Sequence, residues 1–153
     1  MAALSLLCLL ALLLTVAAVT DIRARIILNP LNAAIALLAP AWWWAMGLTG
    51  HEMLFQAGIA LLVLVAFAGC FALGMMGGGD VKLTAAVALW LPLGQLATML
   101  VWMALGGGVL TAGMLIAHRL RGAGGRPEIP YGVAIVAATL LIVANDILTT
   151  ATA

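Results

Sequence analysis

The sequence predicts an all-α integral membrane protein: a six-transmembrane-helix bundle with both termini outside, forming a single membrane-embedded domain over residues 1–153. Three observations lead there. Of 153 residues, 67% are hydrophobic and 7% charged, against roughly 25% charged in a soluble domain, so lipid must be the solvent. The apolar residues come in runs of about 20, the length that crosses a hydrocarbon core at about 1.5 Å per residue. Strand-like alternation is lacking, which leaves the helical bundle as the fold that satisfies its own backbone in a bilayer. The length suits one bundle. A net charge of +1 gives no reason to expect a nucleic-acid partner.

The spans follow in order. Span 1 covers about 2–20. Its apolar stretch from Ala2 to Val19 lacks a basic flank and exceeds the usual signal-peptide h-region of about 7–15 residues. Leu7 ahead of Cys8 also argues against a lipoprotein signal, so the run is expected to stay as a span. Span 2 covers about 29–47, with Pro30 in the first turn, where a missing N–H costs nothing. Pro40 predicts a kink. Span 3 covers about 53–73. From Lys82 to Arg119 there are about 37 residues, or about 55 Å of helix, too long for one crossing. Pro92 and Gly94 mark the turn, giving a short span 4 at about 81–93 and span 5 at about 96–117. Span 6 covers about 130–148.

Charge agrees with this layout. All six basic residues fall in three loops: Arg23 and Arg25, then Lys82, then Arg119, Arg121 and Arg126. Six crossings put these loops on one side, which the positive-inside rule makes the cytoplasm. Trp42, Trp43, Trp44, Trp90 and Trp102 fall near outer span ends, as an interfacial belt would. Cys8 and Cys70 lie in apolar runs and read as reduced packing residues. No CxxC pair exists, so zinc is not expected. His51 and His118 map to opposite sides and do not suggest a shared metal. Gly69, Gly74, Gly106, Gly107, Gly108 and Gly113 suggest close helix packing.

Five acids remain: Asp21, Glu52, Asp80, Glu128 and Asp146. Asp21 follows span 1 and Asp80 opens span 4, so both map to the inner side, while Asp146 reads as a solvated outer helix end. Singly, Asp80 suits a helix N-cap and Asp21 a solvated loop. Gly77, Gly78 and Gly79 shift the balance. Each weakens a helix by about 1 kcal/mol relative to Ala, and together they let another backbone approach. Peptide hydrolysis by carboxylates needs two of them sharing a proton, one polarising the carbonyl while the other takes a proton from water. The helix dipole favours an anion at an N-terminus and disfavours it at a C-terminus, which points to Asp80 ionised and Asp21 protonated, while Arg23 and Arg25 push the other way at Asp21 and leave the proton's place open.

Three stretches then carry a resemblance. "TDIRARIILNPLN" (Thr20–Asn32) resembles the first motif of the type IV prepilin peptidases. "GGGDVKL" resembles their second, GxGD followed by Val-Lys, and "EIPYGVAIVAA" (Glu128–Ala138) resembles the Pro-Tyr-Gly stretch of their last span. The short length is most like the small members of tight-adherence (Flp-type) pilus systems. Leu28 stands where the family usually has proline, and Gly78 occupies the variable position of GxGD.

The resemblance implies one membrane-embedded peptidase domain in the bacterial inner membrane. Its activity would be aspartyl endopeptidase cleavage of the basic leader from pilin precursors at the cytoplasmic face. Asp21 and Asp80 would be the catalytic pair. The partners would be the leader peptide and the start of the pilin's hydrophobic helix, with the lipid bilayer. Larger members add an insert with two CxxC pairs and methylate the new pilin N-terminus. With no such pair here, neither zinc nor another cofactor is expected, and methyl transfer is unsupported. Supporting roles fall to Gly77, Gly78, Gly79, Lys82, Arg23, Arg25 and Tyr131, set against plainer readings: lipid-phosphate contact for the basic residues and an interface anchor for Tyr131. Alternatives are another GxGD-type protease, or a small transporter or proton-relay subunit, since intramembrane acids also mark ion paths.

Overall fold

A computed structural model describes residues 2–120 and 131–152. They form six helices: α1 (Ala2–Ala24), α2 (Asn29–Ala45), α3 (Gly50–Ala72), α4 (Gly78–Ala88), α5 (Leu93–Leu120) and α6 (Tyr131–Thr152). Four of them, α1, α3, α5 and α6, are long and apolar enough to cross a membrane. The other two are shorter, at 17 residues with Pro40 inside α2 and 11 residues in α4, so α4 is only about 17 Å long. Arg121, Arg126, Glu128 and Pro130 lie outside the described residues.

Several boundaries differ from the sequence expectation. Helix α1 runs four residues past Thr20, so Asp21 sits in its last turns and not in a loop. Helix α4 starts at Gly78, inside the glycine run, because packing overrides weak propensity. Helix α3 starts at Gly50. Thr49 and Glu52 form a capping box there, with each side chain accepting the other residue's backbone N–H.

Short α4 is the centre of the bundle. It packs against α2, α3 and α6; α1 packs on α6 and α2, and α5 packs on α6. Val81 and every residue from Leu83 to Ala88 are buried. A helix that ends inside a bundle leaves carbonyls unpaired, at a cost of about 1–3 kcal/mol each. Here side chains take them. Gln56 Nε2 donates to the carbonyls of Ala88 and Leu91, both at 2.6 Å, and Trp43 Nε1 donates to Leu89 at 2.7 Å. Trp90 Nε1 donates to the Ile35 carbonyl at 2.9 Å, close to where Pro40 interrupts the α2 ladder, and Trp90 stacks on Trp42 at 5.8 Å.

These contacts correct part of the aromatic-belt expectation. Trp44 and Trp102 are exposed, but Trp43 and Trp90 belong to the core. The same end of the bundle encloses a cavity of about 370 Å³. Ala3 of α1 and Asp146 of α6 both line it, so the first and last helices meet at one end. Asp146 is half-buried and accepts from Gln95 Nε2 at 3.2 Å through both oxygens. It is therefore not the freely solvated end expected. Both cysteines are free, yet Cys8 is exposed and does not pack in the core. Of the glycines expected at helix contacts, Gly107 is tightly met, by the Tyr131 ring, and Gly106 only loosely, by Ala134. Among the described residues nothing meets Gly69, Gly108 or Gly113, and Gly74 serves a turn at φ +70°.

Candidate active site

The opposite end of the bundle is built differently. Helix α1 stops because Arg25 adopts a left-handed conformation, φ 55°, while its N–H still bonds the Asp21 carbonyl at 2.9 Å. For a non-glycine residue this costs about 1 kcal/mol. The turn leads into Ile27, which is buried. Asp21 is itself only 5% exposed.

Asp80 comes from the start of α4. The N-cap is Gly77, which has no side chain to offer. Asp80, three residues on, folds back so that its carboxylate accepts the Gly77 N–H. Asp21 and Asp80 line one cavity of about 260 Å³ with Gly77, Gly78, Gly79, Arg25, Ile26 and Ile27. Chain order sets them far apart; the antiparallel run of α1 and α4 past α6 brings them together.

A third segment fixes Asp21. The Val133 N–H, in the first turn of α6, donates to Asp21 Oδ2 at 3.2 Å. Gly132 is required beside it. A Cβ there would lie 2.7 Å from Asp21 Oδ2 and 2.7 Å from Ile27 Cδ1. A Cβ on Gly79 would meet Ile27 Cβ at 3.2 Å. Ile27 is thus wedged between two glycines from different motifs. Asn32 adds a tie from α2, its Nδ2 donating to the Gly79 carbonyl at 3.2 Å.

The two acids are not equivalent. Burial first, and the Asp21 charge second, push the Asp80 carboxyl up to about 6, with the Gly77 N–H opposing. Asp21 is the better provided with backbone donors. Desolvation and the second carboxylate thus oppose the helix dipole, which by itself would favour the Asp80 anion.

The other predicted residues divide. Gly77, Gly78, Gly79 and Arg25 line the cavity. Arg23 is exposed and does not line it. Lys82 is also outside; its Nζ donates to Asn29 Oδ1 at 2.8 Å. Tyr131 packs on α5, its ring against Gly107 and its hydroxyl 3.2 Å from Thr111 Oγ1, so it does not cover the acids. Ile27, Asn32, Gly132 and Val133 were not anticipated. All four stand in the quoted motifs "TDIRARIILNPLN" and "EIPYGVAIVAA", but only the acids and cations of those stretches had obvious chemistry.

Fold and site define a class: a helical membrane protein with two carboxylates facing one glycine-lined cavity at the end of its bundle. Comparison with known proteins narrows this. The chain belongs to the type IV leader peptidase family, which matches residues 8–117, a stretch that contains both aspartates. It is 32% identical over 136 residues to the prepilin leader peptidase/N-methyltransferase of Bacillus subtilis (strain 168), an alignment covering 84% of this chain and 51% of that protein. The chain thus spans about half the length of this curated relative. No solved structure matches it.

Proposed function

We propose that this chain is a membrane aspartyl endopeptidase that removes the leader from pilin precursors, with Asp21 and Asp80 as its catalytic pair. The observation that carries the reading is the convergence of these two acids on one cavity beside three glycines. Family membership supports the reaction class. Protonated Asp80 would polarise the scissile carbonyl. Asp21, oriented by the Val133 N–H, would take a proton from the attacking water; the tetrahedral adduct would then collapse with that proton passing to the leaving nitrogen. Gly77–Gly79 leave room for an extended substrate backbone.

Finer features complete the proposal. The cleavage end faces the cytoplasm, because Arg23, Arg25, Lys82 and Arg119 all lie at that end of their helices. The chain crosses the inner membrane six times, and the resemblance of its "PYGVAI" stretch suits an Flp-type pilin as substrate. Co-expression with a candidate precursor tests it by the gel shift on leader removal. Asp21→Asn and Asp80→Asn should each abolish the shift while the parental chain produces it. Processing at the parental rate by either variant would sink the pair.

A further inference from the structure

Helices α2 and α3 are neighbours in sequence, yet each packs on α4 with no substantial contact between the two. Between them runs an open groove of about 470 Å³ whose floor is α4. Alanines from all three helices line it, among them Ala33, Ala57 and Ala86. Small residues are what lets another helix approach closely in a bilayer, where dispersion contacts rather than hydrophobic exclusion drive association.

The two ends of the groove differ. Its polar lining is Asn29, Asn32 and Lys82, all from the ends of α2 and α4 next to the catalytic cavity. Asn32 is only 5% exposed and its Oδ1 has no hydrogen-bond partner among the described residues, while its Nδ2 holds the Gly79 carbonyl, one residue before Asp80. A buried acceptor left unpaired costs about 1–3 kcal/mol and calls for an explanation. It lies where a segment leaving the groove for the aspartates must give up helical hydrogen bonds, and there it offers an acceptor for one freed backbone N–H. The other apolar groove, of about 480 Å³ between α5 and α6, has no comparable polar group in its lining.

The geometry points to the α2/α3 groove as the seat of the precursor's own apolar helix, laid on α4 so that its start reaches Asp80. This rests on the peptidase reading and extends it from the cut site to the rest of the substrate. Cleavage of the full precursor should then depend on the groove, and cleavage of a soluble peptide that spans the cut but stops before the apolar helix should depend on it less.

The test compares kcat/KM for these two substrates in Ala33→Leu and Ala57→Leu, which fill the groove, and in Ala137→Leu, in the α5/α6 groove. Misfit of a few methyl groups is worth about tenfold or more. The precursor-to-peptide ratio should fall about tenfold in the first two variants and stay at the parental value in the third. An unchanged ratio in the first two, or an equal fall in Ala137→Leu, overturns the assignment. A second measurement does not depend on tolerating leucine. In a Cys8→Ser, Cys70→Ser background, Leu61→Cys on the groove wall should cross-link through a bis-maleimide to a cysteine early in the precursor's apolar helix. Val109→Cys in the α5/α6 groove should not, and the opposite pattern refutes the proposal. If the parental chain cleaves neither substrate, the peptidase reading itself fails, a result distinct from these.

Discussion

The two ends of α4 invite comparison. At its C-terminal end, Gln56 and Trp43 satisfy three carbonyls, and Trp90 serves a fourth in α2. At its N-terminal end the cap is a bare glycine, the turn after α1 that lines the same cavity holds a left-handed arginine, and a carboxyl is kept well above its usual range. One end is saturated with hydrogen bonds; the other holds groups that are strained, desolvated or short of partners. The saturated end anchors a helix too short to hold itself. The unsaturated end is then free to carry the proposed chemistry, since local strain persists where the surrounding structure over-determines it.

The largest expected effect breaks the unsaturated end. Gly132→Ala puts a methyl 2.7 Å from both Asp21 Oδ2 and Ile27 Cδ1, where something must move. Peptidase activity should fall about a hundredfold, since displacing a catalytic group by about an ångström costs that much, with about 1–3 kcal/mol of stability lost to overpacking. Parental activity in Gly132→Ala would show that Asp21 needs no such confinement.

Next comes the saturated end. Gln56→Leu keeps the bulk but strips the Ala88 and Leu91 carbonyls of their donor, for a loss of about 2–4 kcal/mol at about 1–3 per buried group, partly relieved by rearrangement. Denaturation in detergent reads this directly. Activity per folded molecule should suffer less than in Gly132→Ala; the reverse ranking would erase the division of labour between the ends.

pH sharpens the comparison further. Because folding raises the Asp80 pKa from 3.8 to about 6, the native state binds its proton more tightly than the unfolded chain does. The parental protein should therefore lose stability as pH rises from about 4 to about 6 and then level off. Asp80→Asn should lack this loss, so its melting temperature should pull ahead of the parent's over that interval and hold the lead above it. For the parental chain, kcat/KM should decline on the alkaline side with an apparent pKa near 6 that belongs to the pair of acids. A flat stability difference would mean that Asp80 is solvated. Smallest of all, Trp43→Phe removes the bond to the Leu89 carbonyl and should cost about 1 kcal/mol in the same melts.

Much of the fold was legible because its cause is local. Composition and run length required helices in lipid, and the glycine run before Asp80 marked a place built for approach. The capping box at Thr49 and Glu52 was equally local and was passed over, although the pattern is readable. Helix α1 ran on past Thr20 because the stop signal was a left-handed arginine, a residue type that does not advertise that conformation. The dipole of each helix is local too, whereas the burial that lifts the Asp80 carboxyl is a property of the assembly.

What the amino-acid order determined was therefore which groups are available: a membrane solvent, six apolar helices, two acids at matching helix ends, and the motifs of one family. What only tertiary structure decided was which of those groups meet. Ile27 between Gly79 and Gly132, the Val133 N–H on Asp21, Asn32 on Gly79, and Gln56 on the end of α4 all join segments remote in the chain. Periodicity and propensity report the preferences of neighbours along the backbone, whereas these contacts exist because an unpaired polar group inside lipid must find its partner wherever packing has placed one.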